Sequence, residues 1–94
     1  EEAVKKSDCV MTDKWISMND KVDKKAKKKI LKPFQVNKKL MSKANSDAIF
    51  MHCLPVGRGE EVSGEVIDGK QSVVWRQALN RVHAQKSIIK WCLD

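Results

Sequence analysis

The sequence lacks paired cysteines and long apolar runs, and each absence excludes a class of protein. Its three cysteines are odd in number and widely spaced, without a Cys-x-x-Cys pair, which argues against a disulfide framework and a zinc knuckle. No apolar run approaches the roughly 18 residues that a membrane helix needs, and the acidic start Glu1-Glu2 lacks the basic and apolar regions of a signal peptide. We therefore expect reduced thiols and a cytoplasmic location.

The chain is short and basic. Its 94 residues, 41% hydrophobic and 33% charged, allow one small folded domain and exclude a membrane protein or a disordered polyelectrolyte. A net charge of +7 would by itself attract nucleic acid, anionic lipid or a phosphorylated metabolite. We find no internal repeat and no domain linker, so the sequence predicts a single unit.

Lysines crowd one segment, at residues 20–32, and its apolar residues recur at helical spacing. Those apolar residues are Val22, Ala26, Ile30 and Leu31. The pattern predicts an amphipathic helix that is capped by Asp20 or Asn19, ends before Pro33, and has the lysines on its solvated face. Because no aromatic residue is interleaved for base stacking, a solvated face is favoured over a nucleic-acid site.

Two short apolar runs predict buried strands, at residues 9–12 and 48–53. The lysine-rich helix and a second helical stretch, at about 37–44, lie between them. Such a crossover usually joins parallel strands. Ligands of open α/β sheets bind at the carboxyl ends of the strands, so the loops that follow these two runs are the candidate site.

The last third of the chain predicts a loop at 55–59, an acidic helical turn at 60–67, a possible short strand at 72–75 and a long helix at 77–93. Apolar positions of the long helix include Leu79, Val82, Ile89 and Leu93. We expect the α/β class: a partial Rossmann-like three-layer domain with a short parallel sheet flanked by helices and a long C-terminal helix.

The segment DKWISM, residues 13–18, brings a carboxylate, a hydroxyl and backbone amides to the end of the first strand. These groups suit an amino-acid ligand, because a carboxylate holds an ammonium group and amides near a helix start hold a carboxylate. Alternatively, Asp13 and Ser17 are helix caps and Trp15 and Met18 are core residues. The pattern alone leaves both interpretations open.

A histidine and a thiol leave the second strand in His52-Cys53-Leu54-Pro55. A nucleophilic Cys53 would need a base within reach, but strand neighbours point to opposite faces, so His52 and Cys53 are poor direct partners for catalysis or for a metal. The alternative is a histidine and a cysteine that are simply buried. A cis bond before Pro55 would aim the carbonyls of Cys53 and Leu54 into the cleft.

Arg81 and His83 are predicted near the start of the long helix. An arginine there could reach an anionic ligand with its planar set of donors, or it could be an ordinary surface residue. Position alone does not decide between the two.

Five segments together resemble, in order and spacing, the carboxyl-terminal part of the ornithine carbamoyltransferases. They are DKWISM at 13–18, FQVN at 34–37, FMHCLP at 50–55, RGEEV at 58–62 and NRVHAQK at 80–86. The joint occurrence of Asp-x-Trp-x-Ser-Met and His-Cys-Leu-Pro is specific, because aspartate carbamoyltransferases have proline in place of the cysteine. The resemblance covers essentially the whole chain.

The resemblance implies transfer of the carbamoyl group of carbamoyl phosphate to the side-chain amine of ornithine, giving citrulline and phosphate. It implies no metal or organic cofactor, no nucleic-acid or membrane partner, and a homo-oligomeric parent, a trimer or a multiple of one. By the resemblance, Asp13 and Ser17 contact the ornithine amino group, the Met18 amide contacts its carboxylate, and Cys53 lies beside the attacking amine.

On the carbamoyl phosphate side, the resemblance implies that the carbonyls of Cys53 and Leu54 accept the carbamoyl amide protons. Arg81 would bind the phosphate and carbonyl oxygens as charge develops. The open alternatives are a carbamoyltransferase for another amine or amino acid, or a non-enzymatic basic binding module.

The chain also departs from the family pattern. Asn19 stands where the family usually has glycine after Ser-Met, and asparagine tolerates positive φ. The family's Ser-Thr-Arg-Thr and His-Pro-x-Gln motifs do not occur. We therefore expect residues 1–94 to be a fragment of the second, ornithine-binding domain, without the carbamoyl-phosphate domain and inactive alone. Its uncovered surface at Val82, Ile89 and Trp91 is expected to promote self-association.

Overall fold

The computed structural model describes residues 1–17, 19–21 and 23–94. A 3-10 turn at Glu2–Val4 precedes strand β1, and a second 3-10 turn, Lys32–Phe34, follows the first helix. The strands and helices are, in chain order, β1 (Cys9–Thr12), α1 (Lys24–Leu31), α2 (Lys38–Met41), β2 (Ile49–His52), α3 (Gly64–Ile67) and α4 (Val74–Leu93).

The two strands pair in parallel, with Cys9 opposite Ile49 and Thr12 opposite His52. Helices α1 and α2 lie in the connection between them. The predicted strand, helix, strand unit is therefore confirmed, and so is the α/β class with a short parallel sheet and a long C-terminal helix. Because the strands are parallel, both loops of the candidate site leave from the same edge of the sheet.

The predicted strand at 72–75 is wrong. Phe50 of β2 donates its N–H to the carbonyl of Gln71 at 2.8 Å and accepts from the N–H of Val73 at 3.0 Å. This pairing is a single bridge between Phe50 and Ser72, because helix α4 begins at Val74. The bridge therefore serves to fasten the start of α4 to β2.

The core lies around the sheet and the turn that contains α3. Its buried side chains are Val10, Val36, Met41, Phe50, Val62, Val66, Ile67 and Val74. Phe50, Val62, Ile67 and Val74 are fully buried, and burying one large apolar side chain contributes about 1.5–3 kcal/mol. Helix α4 contacts β2, and α2 contacts α3, so this core connects the end of β2 to every later element.

Helix α1 starts later than the sequence predicted, and its predicted caps are wrong. Asp23 is the cap: its carboxylate accepts from the N–H groups of Lys25 at 2.9 Å and Ala26 at 3.3 Å. No residue of α1 is buried, and Ile30 is 70% exposed, so the apolar side of this helix is uncovered. Val22, a predicted apolar position, lies outside the described residues.

Helix α4 starts earlier than predicted, at Val74, and is buried only at that first residue. Its later apolar residues are exposed, including Leu79, Val82, Ile89 and Trp91. The predicted uncovered surface at Val82, Ile89 and Trp91 is confirmed. No helix in the described ranges is long and apolar enough to cross a membrane.

Candidate active site

Two loops leave the same edge of the sheet, and we call residues 13–17, 19–21 and 23 the first loop and residues 53–63 the second loop. They begin side by side because Thr12 and His52 are paired. Their first residues touch: the Cys53 thiol donates to Asp13 Oδ1 at 3.1 Å, across 40 residues of sequence. The structure therefore brings together the two clusters that the sequence singled out.

The contact between Cys53 and Asp13 sets the charge of both groups. Hydrogen bonds from the Cys53 thiol and from the Lys14 N–H lower the pKa of Asp13. The same bond to Asp13, together with partial desolvation of the thiol and the Asp13 charge, raises the pKa of Cys53. At neutral pH the pair is thus a carboxylate and a neutral thiol. Because the thiolate is the nucleophilic form, Cys53 is poorly suited to covalent attack and well suited to orienting its neighbour.

A buried hydrogen bond between two side chains involves His52, the residue before Cys53. His52 Nε2 is 3.1 Å from Glu61 Oε1, and both side chains are fully buried. Glu61 Oε1 also accepts from the N–H of Gly57. Strand β2 and the middle of the second loop are therefore fastened to each other through one carboxylate oxygen.

Glu61 was not predicted as a site residue from the sequence. The signal available was His52 itself, because a buried imidazole requires a hydrogen-bonding partner. The interpretation of His52 as simply buried is confirmed, whereas Cys53 is exposed, so the same interpretation is wrong for Cys53. The bond between Leu54 and Pro55 is cis, as predicted.

The rest of the second loop is tied to the helices around it. Gln35 donates from Nε2 to the carbonyls of Gly59 at 3.0 Å and Glu60 at 2.7 Å, and Lys28 pairs with the Glu60 carboxylate. Gly59 has φ of 78°, a conformation that glycine adopts without steric cost. These contacts hold the RGEEV segment against α1 and the turn that follows it.

The first loop is held by hydrogen bonds between more exposed groups. Asp20 Oδ2 accepts from the N–H of Ser17 at 3.0 Å and from Lys27 Nζ at 2.7 Å. Both hydrogen bonds lower the pKa of Asp20, the one from Lys27 being the larger cause. Asp20 therefore links the middle of the first loop to helix α1.

The interpretation of Asp13 and Ser17 as helix caps is wrong, since Asp23 caps α1. Trp15, which that interpretation places in the core, is half-buried. Ser17 is exposed beside the site, and the predicted ligand amide of Met18 lies outside the described residues.

Arg81 lies two turns into α4, and its predicted place near the helix start is wrong because α4 begins at Val74. It nevertheless lines a cavity of about 400 Å³ with Cys53 and Leu54. The other lining residues are His52, Gln77 and Ala78. The structure thus brings Arg81 to the second loop, as the arginine of an anion site would be.

His83 is not brought to this site. It lines a separate groove of about 590 Å³ between β2 and α4, together with Arg76 and Asn80. This groove is the larger of the two, but neither Cys53 nor Arg81 lines it, whereas both line the smaller cavity, so we take the smaller cavity as the site. Within residues 1–17, 19–21 and 23–94, no three acidic, histidine or cysteine side chains group as a metal site would.

The neutral thiol of Cys53 thus shares a cavity with the Arg81 guanidinium and is hydrogen-bonded to the Asp13 carboxylate. A carboxylate can bind an amine, and a guanidinium can bind a phosphate or a developing oxyanion. Such an arrangement suits transfer of an acyl group from an anionic leaving group to an amine.

Comparison with known proteins agrees with this chemistry. A family model described as the Asp/Orn binding domain of aspartate/ornithine carbamoyltransferase matches residues 1–92. The ornithine carbamoyltransferase of Rhodopseudomonas palustris is 64% identical over 93 residues, which are 99% of this chain and 30% of that protein. The chain thus spans less than a third of the length of such a curated relative.

Solved structures give the same result. Ornithine carbamoyltransferase from Pyrococcus furiosus superposes with a TM-score of 0.86 at 52% identity, over 94% of this chain and 28% of that one. The anabolic enzyme from Campylobacter jejuni gives a TM-score of 0.88 at 42% identity, over 96% and 30%. The resemblance first seen in the motifs is confirmed, and the chain belongs to the aspartate/ornithine carbamoyltransferase family.

Proposed function

We propose that residues 1–94 form the ornithine-binding part of an ornithine carbamoyltransferase. The longer protein would transfer the carbamoyl group of carbamoyl phosphate to the side-chain amine of ornithine, giving citrulline and phosphate. The observation that carries the proposal is the bond of 3.1 Å between Cys53 and Asp13, which joins both motif loops at one point. The family membership of the chain supports it.

The nucleophile in this reaction is the ornithine side-chain amine. At neutral pH it is largely an ammonium ion, which has no lone pair and must lose a proton before it attacks. Asp13 would bind the ammonium and help it lose that proton. Because the pKa of Asp13 is lowered, the proton would not stay on its carboxylate and would end on the released phosphate or in solvent. Cys53, held as a neutral thiol, would orient Asp13 and the nitrogen, and Ser17 would contact the substrate amino group.

The electrophile is the carbonyl carbon of carbamoyl phosphate. Attack forms the new carbon–nitrogen bond, and the bond from that carbon to the phosphate oxygen breaks. Arg81 would stabilise the charge that develops on the carbonyl and phosphate oxygens, and the carbonyls of Cys53 and Leu54 would accept the carbamoyl amide protons. The shared cavity of Arg81, Cys53 and Leu54 supports these roles.

The remaining contacts to phosphate belong, in this proposal, to the part of the longer protein outside residues 1–94. We propose that the parent is a homo-oligomer and that it acts in arginine or ornithine metabolism. The exposed thiols of Cys9, Cys53 and Cys92 suit a reducing compartment such as the cytoplasm. The uncovered apolar side of α4 suits burial against the rest of the parent or against a second copy.

A chimera tests the proposal directly. In it, the matching segment of the Rhodopseudomonas palustris enzyme is replaced by residues 1–94, and citrulline is measured with ornithine, with aspartate and putrescine as control acceptors. We expect carbamoylation of ornithine only, and no activity from the isolated chain. A folded chimera that is inactive beside an active unreplaced relative would refute the proposal. Preference for a control acceptor would favour the alternative of another amine.

A substitution in the chimera tests the role of Cys53. We expect Cys53→Ser to lower kcat by about 10- to 1,000-fold without abolishing turnover, since the hydroxyl keeps a hydrogen bond to Asp13. Cys92→Ser is the matched control, because Cys92 is exposed on α4, and it should leave kcat unchanged. Complete loss of turnover, with a carbamoyl group trapped on Cys53, would contradict this non-covalent role.

A further inference from the structure

We propose that Gln77 is a positioning residue for Arg81. Its side-chain oxygen fixes helix α4 against the end of β2, so that Arg81 lies over the second loop. This inference rests on the proposed function, because it gives Arg81 its importance as the anion-binding group. In this role, Gln77 acts on the reaction through Arg81.

The inference starts from a hydrogen bond between the helix and the strand. The N–H of His52, the last residue of β2, donates to Gln77 Oε1 at 3.0 Å in a partly buried position. One helical turn earlier, the N–H of Val73 donates to the Phe50 carbonyl at 3.0 Å. Helix α4 is therefore bonded to β2 at two points. With one hydrogen bond the helix could rotate about that contact, whereas two hydrogen bonds restrict its direction.

The spacing of these two hydrogen bonds along α4 and β2 determines where Arg81 lies. From Phe50 to His52 a strand advances about 6.6 Å, and from Val73 to Gln77 a helix advances about 6 Å. The bridge between Phe50 and Ser72 is parallel, so the chain enters α4 in the direction of β2, and the similar advances bring the Gln77 side chain to His52. A further turn of the helix then brings Arg81 level with the second loop, just past the end of the strand.

Arg81 lies on the same face of α4 as Gln77. Gln77 and Arg81 are four residues apart, which places them on one face of a helix. Both line the cavity of about 400 Å³ that also contains Cys53 and Leu54. The face that Gln77 bonds to the strand is thus the face on which Arg81 reaches the site.

Little else holds α4 beyond Gln77. In the part of the chain that the structure describes, its later side-chain hydrogen bonds stay within the helix, from Ser87 to His83 and from Lys90 to Asp94. Residues 78–94 are all exposed. Gln77 is therefore the last bond from the helix to the sheet before Arg81, and its loss leaves a partly buried N–H of His52 without an acceptor.

The contact requires an acceptor at position 77 and nothing more. Gln77→Met keeps a side chain of similar length but removes the acceptor, whereas Gln77→Glu keeps one. If Gln77 acted only by filling space, Met would replace it better than Glu. The two substitutions therefore separate positioning through the hydrogen bond from simple packing.

The experiment measures steady-state kinetics in the chimera, with Gln85→Met as the matched control at an exposed position of the same helix. We expect Gln77→Met to raise KM for carbamoyl phosphate and lower kcat/KM for it by about 10- to 100-fold, since small displacements of a catalytic group cost that much. KM for ornithine should change little, and Gln77→Glu should restore most of the loss. Equal losses for both substrates, or no rescue by Gln77→Glu, would overturn the proposal.

A second measurement keeps this inference separate from the proposed function. Hydrogen exchange at the His52 amide should be slow in the chimera and in Gln77→Glu, and at least several-fold faster in Gln77→Met. Equal exchange in all three would overturn the positioning contact, whatever the activity. An inactive chimera with the expected exchange pattern would instead refute the proposed function and, with it, the catalytic importance of Gln77, while the contact itself stood.

Discussion

The two loops of the site begin at paired residues and yet are held in different ways. The second loop is fastened by the fully buried couple of His52 and Glu61, with one carboxylate oxygen shared with the N–H of Gly57. The first loop is held by Asp20, whose bond to Ser17 is exposed and whose bond to Lys27 is only part-buried. A common origin in the sheet therefore does not give the two loops a common rigidity.

The difference follows from solvent. Exposed ion pairs are screened by water and contribute little, whereas breaking a buried pair leaves a polar group without solvent or partner. The second loop should thus be the more firmly held of the two, and the part of the first loop around Asp20 should open at lower cost than the buried Ile16 that precedes it. In the proposed reaction, Asp13 and Ser17 of the first loop would contact ornithine. The second loop would supply the carbonyls of Cys53 and Leu54 to carbamoyl phosphate and the Cys53 thiol to the ornithine amine.

The largest effect should come from removing the buried carboxylate. We expect Glu61→Ala in the chimera to destabilise the fold by about 3 kcal/mol, since His52 and the N–H of Gly57 both lose their acceptor in a buried place. Thermal unfolding followed by circular dichroism measures the fall in Tm. Glu65→Ala, an exposed glutamate of α3, is the control and should change Tm little. If both variants lose the same stability, the second loop is not held by its buried couple.

An intermediate effect should appear in the reactivity of Cys53. Its pKa is raised, so the neutral thiol is favoured, and the bond to Asp13 is lost as pH rises through that pKa. The pKa of Asp13 is lowered, so the carboxylate side of the bond is lost only as pH falls through it. The contact is therefore complete between these limits, across neutral pH.

Alkylation by iodoacetamide at pH 8, with mass spectrometry of each thiol, measures this effect. We expect Cys53 to react several-fold more slowly in the folded chimera than in urea, and Asp13→Asn to accelerate it, because the thiolate is the reactive form. Exposed Cys92 serves as the internal reference. Equal rates for Cys53 in the folded and unfolded protein would show that Asp13 does not control the thiol.

The smallest effect on stability should come from the surface bonds of the first loop. We expect Asp20→Ala to leave Tm nearly unchanged but to accelerate hydrogen exchange at 13–21, since Ser17 and Lys27 lose their common acceptor. Asp68→Ala is the matched control, because it removes an exposed ion pair with Arg58 from the second loop. It should leave exchange at 53–61 unchanged. Faster hydrogen exchange of the second loop in Asp68→Ala would show that the second loop is held no more firmly than the first.

The parts of the fold that local pattern determines could be predicted from the sequence. Short apolar runs bounded by polar turns predict the two strands, and the length of the crossover predicts their parallel pairing. These two predictions together bring Asp13 close to Cys53. The first residue of α1 could not be predicted in this way. Asn19, Asp20 and Asp23 are all good caps, and a contact with Lys27 engages Asp20 elsewhere, which no local pattern reveals.

The buried partner of His52 could not be predicted for a similar reason. Glu60 and Glu61 are neighbours of the same type, yet one pairs with Lys28 and the other is fully buried against His52. Only the path of the backbone through this turn determines which of the two glutamates is buried. Gln77 was missed because its role depends on where α4 meets β2, and the sequence predicted the start of that helix three residues too late.

The parallel pairing of β1 and β2 also bears on how the protein folds. A parallel pair cannot be closed by a tight turn, so the contact between Asp13 and Cys53 requires a chain loop of 40 residues to close first. Local helices can form before that, but the sheet cannot, and contacts of long sequence separation slow folding. The pairing of β1 with β2 thus also brings Asp13 to Cys53. A slow-folding population would lack both the sheet and this contact.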